Sequence, residues 1–358
     1  MDKLAILVVD DDALYRRYIS QMAASTDLTA GVMTASSAEI AIERLRLTRY
    51  DIVISDVVMA NIDGIALLEH VKQRYPDIGM IMVSSFGGIG QQVTMRALQL
   101  GALDYILKND AANRTWFLDR LTLLFESYAA KKQLTVVSPQ AAAPTGEAPS
   151  AKLAKPGYSK DFEAVDYVII IASTGGPKAI DTVLAGLAPQ LNCPVIIVQH
   201  IPAKFTEVMA AQLAVKYKIA IREAKPGEVL QNNRLYLAPG GQHLSVEAKQ
   251  RLPQFVVTEK FAGAGEIAPS ADRLLTSMAE ALSGAKIVVA VLTGMGNDGV
   301  AGLKRLKATN DVVTLAQDEP SCVVYGMSRS VVEAGLADEI VALDKIAARI
   351  NAICRVNR

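Results

Sequence analysis

Apolar residues along this chain fall into two blocks of alternating pattern. From Leu4 to about Tyr128, short apolar runs (Leu4–Val9, Gly31–Thr34, Asp51–Ser55, Gly79–Val83 and Leu103–Leu107) alternate with stretches of helical period such as Ala38–Leu47 and Gly64–Tyr75. The short runs have the length of buried strands, and the longer stretches have the spacing of one-sided helices. Five such strands with helices between them predict a doubly wound parallel α/β sheet, whose ligands sit at the strands' carboxyl ends. A further amphipathic stretch, Trp116 to Tyr128, carries Phe117, Leu121, Leu124 and Phe125 on one side. From Pro139 to Gly157 the chain then has almost no large apolar residue. Such a segment cannot bury a core and reads as an exposed linker. The expected organisation is a first domain over 1–128, a linker over 129–163 and a second domain over 164–358.

In the second block the strand candidates are Tyr167–Ile171, Pro194–Val198, Arg234–Ala238, Lys286–Leu292 and Val312–Ala316. Helical stretches are Lys178–Leu187, Lys204–Tyr217, Ser270–Leu282 and Gly299–Leu306. A second, mainly parallel α/β sheet is the simplest architecture. The length, 358 residues, agrees with two domains. Lys+Arg 37 balances Asp+Glu 37, and no basic recognition helix is evident, so nucleic acid is not an expected partner. No run approaches the ~20 apolar residues of a membrane span. The first residues run straight into a strand without a basic-then-apolar leader, which predicts a cytoplasmic protein. Cys193, Cys322 and Cys354 show no metal spacing and read as reduced, packed thiols.

The residues at the strand ends carry the candidate chemistry. In the first block they are Asp10-Asp11-Asp12, Asp56, Ser84-Ser85 and Lys108. Clustered carboxylates repel one another unless a cation offsets them, and hard oxygen ligands suit Mg²⁺. A lysine beside them can hold a phosphoryl oxygen. Each residue alone is an ordinary loop polar group, but together they mark one crevice.

In the second block an apolar run ends at Ala172 and is followed by Ser173-Thr174-Gly175-Gly176-Pro177. This reads as strand, tight turn and helix N-terminus, with Ser173 at the bend. A hydroxyl there suits attack on a carbonyl, since backbone donors stand ready for the oxyanion. The bland reading is a helix cap. The chain has only three His. His200 follows a strand at the same edge and can act as a base near neutral pH. His243, expected in a turn, is the second choice, and His70 lies on a helix of the first block. Asp298, in the glycine-rich loop after Lys286–Leu292, can orient the imidazole, or it can simply cap the next helix. Asp272 and Asp318 are weaker rivals, since neither is expected to follow a strand directly. The order Ser, His, Asp differs from that of α/β hydrolases, and Ile171 stands where their nucleophile motif has Gly.

Two resemblances join these observations. Residues 1 to about 125 resemble the response-regulator receiver domain, a five-stranded flavodoxin-like fold. That resemblance implies Asp56 as phosphoacceptor, with Asp10, Asp11 and Asp56 holding Mg²⁺. It also implies Ser84 and Tyr105 as switch residues and Lys108 as the phosphate-binding lysine. Ala60 and Asn109 replace prolines of the family, and a non-proline cis bond after Lys108 would cost ~2.5–4 kcal/mol, so another backbone path is expected there.

Residues 166 to about 350 resemble the catalytic domain of the CheB-type chemotaxis receptor methylesterases. The matching strings are Ala172–Pro177, Gln199–Pro202, Tyr236–His243, Pro269–Asp272, Leu292–Gly299, Gln317–Glu319 and Tyr325–Met327, with Ser328 in place of a common Pro. This resemblance implies hydrolysis of glutamyl methyl esters, and deamidation of glutamines, on chemoreceptors. Ser173 is then the nucleophile, His200 the base, Asp298 its orienter, and Thr174 and Met295 the oxyanion site, with no cofactor in the catalytic domain. The implied partners are methylated chemoreceptors and a chemotaxis-type histidine kinase, and phosphorylation of Asp56 would relieve inhibition by the receiver. The competing reading is a non-hydrolytic scaffold that binds receptors or a kinase.

Overall fold

The computed structural model describes residues 3–59, 63–84, 88–108, 114–136, 164–188, 191–250, 252–259 and 267–355. Ala60, Ser85, Asn109 and the 137–163 part of the expected linker lie outside them, so the backbone path expected after Lys108 does too. The chain forms two compact units, Met1–Ser138 and Pro139–Arg358. Among the described residues no helix is long and apolar enough to cross a membrane.

The first unit runs β1 (Leu4–Val9), α1 (Ala13–Ala24), β2 (Thr29–Ala35), α2 (Ala38–Leu47), β3 (Ile52–Asp56), α3 (Gly64–Arg74), β4 (Gly79–Ser84), α4 (Gly88–Leu100), β5 (Asp104–Leu107) and α5 (Arg114–Val136). The sheet order is β2-β1-β3-β4-β5, with every pairing parallel. Chain order reverses between β1 and β3, which opens the ligand crevice beside their carboxyl ends. Ile6, Val8, Ile54 and Val83 pack with Phe117, Leu121 and Phe125 of α5 to form one core face. Helix α5 continues to Val136, past the end expected at Tyr128 and into the segment read as linker. Ala129-Ala130-Lys131-Lys132-Gln133-Leu134 are strong helix formers, Ala129 is buried, and Lys132 Nζ pairs with Asp51 at 2.6 Å.

The second unit runs β6 (Tyr167–Ala172), α6 (Gly176–Gly186), β7 (Val195–Gln199), α7 (Phe205–Tyr217), β8 (Ile221–Glu223), β9 (Leu235–Leu237), β10 (Gln242–Lys249), β11 (Leu252–Glu259), α8 (Ala271–Ala281), β12 (Lys286–Val291), α9 (Val300–Thr309), β13 (Asp311–Gln317), α10 (Met327–Glu333), β14 (Glu339–Val341) and α11 (Leu343–Ile353). A seven-stranded sheet, β14-β13-β12-β6-β7-β9-β8, is parallel throughout. Its central strands are continuous Val/Ile runs because helices cover both faces. Strand order reverses at β6, between β7 and β12, so the loops after these three strands share one rim.

A separate antiparallel hairpin, β10–β11, was not expected: β10 alternates, but β11 carries Pro253 and groups Phe255-Val256-Val257. It also corrects the position of His243. That residue lies within β10 opposite Thr258 and is fully buried, rather than sitting in a turn.

Candidate active site and phosphoacceptor site

In the first unit the carboxyl ends of β1, β3 and β5 bring acids and a lysine together. Ligand oxygens of Asp10, Asp11 and Asp56 lie within 4.8 Å of one another. Lys108 Nζ stands 2.7 Å from Asp56 Oδ2 and 2.9 Å from Asp10 Oδ2. Asp10 is fully buried, and burial raises its carboxyl pKa, an effect that Asp56 strengthens and Lys108 opposes. Burial alone would lower the Lys108 pKa, but Asp56 and Asp10 outweigh it and the value is raised. One ammonium facing clustered carboxylates, two buried and Asp11 exposed, leaves oxygen donors of the kind a hard divalent cation takes. Ser84 ends β4 with its hydroxyl 2.8 Å from Thr94 of α4, and Tyr105 is buried in β5. Tyr15, which the pattern reading passed over, places its ring 4.6 Å from the Lys108 ammonium. Its position one helical turn past the acids was the available signal.

In the second unit β6 and β7 pair in register through Ala172 and Gln199, so the next residue on each strand is Ser173 and His200. His200 N donates to Ala172 O at 3.1 Å, and Ser173 N donates to Thr293 O, in the loop after β12, at 3.0 Å. The bend after Ser173 needs glycine: Gly175 has φ 75°, and a Cβ there would meet Val323 at 2.6 Å. Gly294 passes so close that a Cβ would lie 2.8 Å from Ser173 Cβ. Met295 follows it, half-buried. Thr174 is buried, and its carbonyl accepts from Thr293 Oγ1 at 3.0 Å.

His200 Nε2 and Asp298 Oδ2 lie 2.8 Å apart, both side chains nearly enclosed. The carboxylate of Asp298 also accepts from Ser270 Oγ at 2.9 Å, Ala271 N at 2.7 Å and Asp272 N at 3.0 Å. These donors belong to the N-terminus of α8, where a helix stabilises negative charge. Burial alone would raise the Asp298 pKa, but His200 and the N–H groups of Asp272 and Ala271 outweigh it and hold the value below the ordinary one. Direct contacts therefore join His200 to Asp298. The backbone bond of His200 reaches Ala172, the residue before Ser173, and not Ser173 itself.

The rivals have other partners. Asp272 accepts from Gly299 N at 3.0 Å and Gly302 N at 2.6 Å, so it caps α9. Asp298 is thus not the cap of α9 but lies against the start of α8. Asp318 directly follows β13, contrary to expectation, and is bonded by the Ser321 hydroxyl. His70 sits in α3 beside Tyr75. Ser328 occupies the first turn of α10, a position that tolerates proline, and donates from Oγ to Val291 O and Leu292 O at 3.1 and 3.2 Å. Residues missed in the sequence are Ser270, Thr293, Gln199 and Gln317, whose Oε1 accepts from Thr293 N at 2.8 Å. The signal for each was a polar residue ending or leaving a buried strand or capping a helix.

Comparisons with known proteins identify what the chain is similar to. The CheB methylesterase family matches residues 168–350, and the response regulator receiver domain matches residues 6–115. A protein-glutamate methylesterase/protein-glutamine glutaminase of Desulfotalea psychrophila is 34% identical over 98% of this chain and 98% of its own. One of Geobacillus kaustophilus is 36% identical with the same two coverages of 98%. The catalytic domain of Thermotoga maritima CheB methylesterase is similar at 33% identity, covering 52% of this chain and 97% of that one, with a TM-score of 0.49. The chain belongs to the CheB methylesterase family and carries a response regulator receiver domain ahead of its catalytic domain.

Proposed function

We propose that this protein hydrolyses γ-glutamyl methyl esters on chemoreceptors, and deamidates glutamines there, through Ser173, His200 and Asp298. The observation that carries this reading is the 2.8 Å pair of His200 and Asp298 at the rim where Ser173 ends the neighbouring strand. Asp298 stays ionised and accepts a hydrogen bond from the Nε2–H of His200, which leaves Nδ1 as the basic nitrogen. Nδ1 takes the Ser173 proton as Oγ bonds to the ester carbonyl carbon. The oxyanion is met by Thr174 and the Met295 backbone N–H. The C–O bond to the methoxy group then breaks, His200 returns the proton, and methanol leaves an acyl-Ser173 ester. Water, deprotonated by His200, opens that ester to give glutamate and free Ser173. A glutamine follows the same path and releases ammonia.

Control falls to the first unit. Asp56 is the phosphoacceptor, and Asp10, Asp11 and Asp56 would hold Mg²⁺, which supplies positive charge for phosphoryl transfer. Lys108 holds a phosphoryl oxygen, and Ser84 and Tyr105 respond to it. Phosphorylation adds about −1.5 to −2 charge and relieves inhibition of the catalytic unit by the receiver. A cytoplasmic chemotaxis-type histidine kinase is the donor. Methanol release from a methylated receptor, with and without a small phosphodonor and Mg²⁺, tests both parts. Wild type releases methanol faster with the donor, and Asp56→Ala does not respond. An inactive wild type would favour a binding scaffold.

A further inference from the structure

We propose that Gln199 is a positioning residue that holds Ser173 and His200 at their working separation, an inference that rests on the function proposed above. Gln199 is the last residue of β7, 1% exposed and paired in register with Ala172. The β6–β7 ladder ends at this pair, and the following hydrogen bond is His200 N to Ala172 O. Beyond it β6 bends at Thr174–Gly175 and β7 passes into a loop. The Gln199 side chain takes over where the ladder stops. Its Nε2 donates to Ser173 O at 2.9 Å and to His200 O at 3.4 Å, so one amide grips the backbone of both residues.

Two further observations separate this from ordinary strand-end packing. Two carbonyl oxygens face the amide, so only its NH₂ end can lie there, and Oε1 must point away. Among the described residues that oxygen is buried without a hydrogen-bond partner. A buried acceptor without a partner costs stability, whereas an apolar side chain at this position would carry no such penalty. Second, Gly176 provides the room. A Cβ there would come within 1.9 Å of Oε1. A polar group kept against stability, with a glycine clearing space for it, is the pattern of a position selected for geometry. Gln199 acts on how Ser173 and His200 meet, so its loss lowers kcat and leaves substrate binding alone.

Full-length Gln199→Met and Gln199→Glu, which keep side-chain length without the NH₂ donor, test this in the methanol-release assay. Asn351→Ala serves as a stability control, since Asn351 joins α11 to the end of α6 through Gly186 O and Ala188 N. Circular dichroism reports the folded fraction of each. The expected result is a fall in kcat of about 10- to 100-fold in both Gln199 variants, with KM unchanged, while Asn351→Ala melts earlier and keeps its kcat. The inference is overturned if either folded Gln199 variant keeps wild-type kcat, if the loss lies in KM, or if kcat falls only with the folded fraction, as it then would in Asn351→Ala. An inactive wild type would instead overturn the esterase function itself, and this inference with it.

Discussion

Asp272 and Asp298 cap each other's helices. Asp298, just before α9, accepts from Ala271 N and Asp272 N at the start of α8, and Asp272, in the first turn of α8, accepts from Gly299 N and Gly302 N at the start of α9. The carboxylate bonded to His200 is therefore fixed from two sides. One side is the helix whose amides it neutralises, and the other is the residue that anchors the chain immediately after it.

Asp272→Ala removes the one carboxylate oxygen, Oδ1, that both N–H groups at the start of α9 share. The expected cost is about 1–2 kcal/mol in urea unfolding of the catalytic unit, as for a lost cap. Because Gly299 adjoins Asp298, methanol release is also expected to fall, by about tenfold in kcat.

Asp298→Asn places an NH₂ either toward His200 and Ala271 N or toward Ser270 and Asp272 N. In the first orientation the amide donates to Nε2, which moves the imidazole proton to Nδ1 and removes the base. In the second, two donors lose their acceptor. Steady-state kinetics should show kcat lower by about 10³- to 10⁴-fold with little change in KM.

Acid unfolding follows from the same carboxyls. The folded pKa of Asp298 is lowered, so its contribution is present above the unfolded value near 3.9 and is lost as pH falls through the folded value. Burial first, then Asp298, raises the Asp272 pKa, so its contribution runs the other way, present below the unfolded value and lost as pH rises through the folded one. Urea midpoints measured between about pH 5 and pH 3 should fall less steeply for Asp298→Asn than for wild type, and more steeply for Asp272→Asn.

At the receiver site, Lys108 offsets the charge of Asp10 and Asp56. Lys108→Met leaves clustered carboxylates without that ammonium, so its melting temperature in chelator should drop. Millimolar Mg²⁺ should raise the melting temperature of this variant more than that of wild type, because a bound cation stabilises by an amount that grows with the logarithm of its affinity. Asp11→Asn should blunt the Mg²⁺ response in both backgrounds. Differential scanning fluorimetry reads all three.

Much of this was legible in the sequence, and the rest was not, for physical reasons. The run Leu4–Val9 and the stretch Ala38–Leu47 were bounded correctly, since a short all-apolar run has sharp polar edges and an amphipathic helix leaves a clear period. Helix α5 outran its expected end because Ala and Lys carry helix propensity without an apolar stripe. The hairpin holding His243 stayed hidden because Pro253 interrupts β11 and its apolar residues Phe255-Val256-Val257 run together instead of alternating. The strand-end positions of Ser173, His200 and Asp298 could be read off, since the carboxyl rim of a parallel sheet collects such groups. The grip of Gln199 and the mutual capping of Asp272 and Asp298 could not. Both depend on which loops face one another across strands far apart in sequence.

The central claim is that the Ser173 hydroxyl attacks the methyl ester. Methanol release from methylated receptor by wild type and Ser173→Ala, with circular dichroism on both, tests it directly. A folded Ser173→Ala that releases no methanol above the uncatalysed rate is the predicted result; a folded Ser173→Ala that releases methanol as fast as wild type would contradict it.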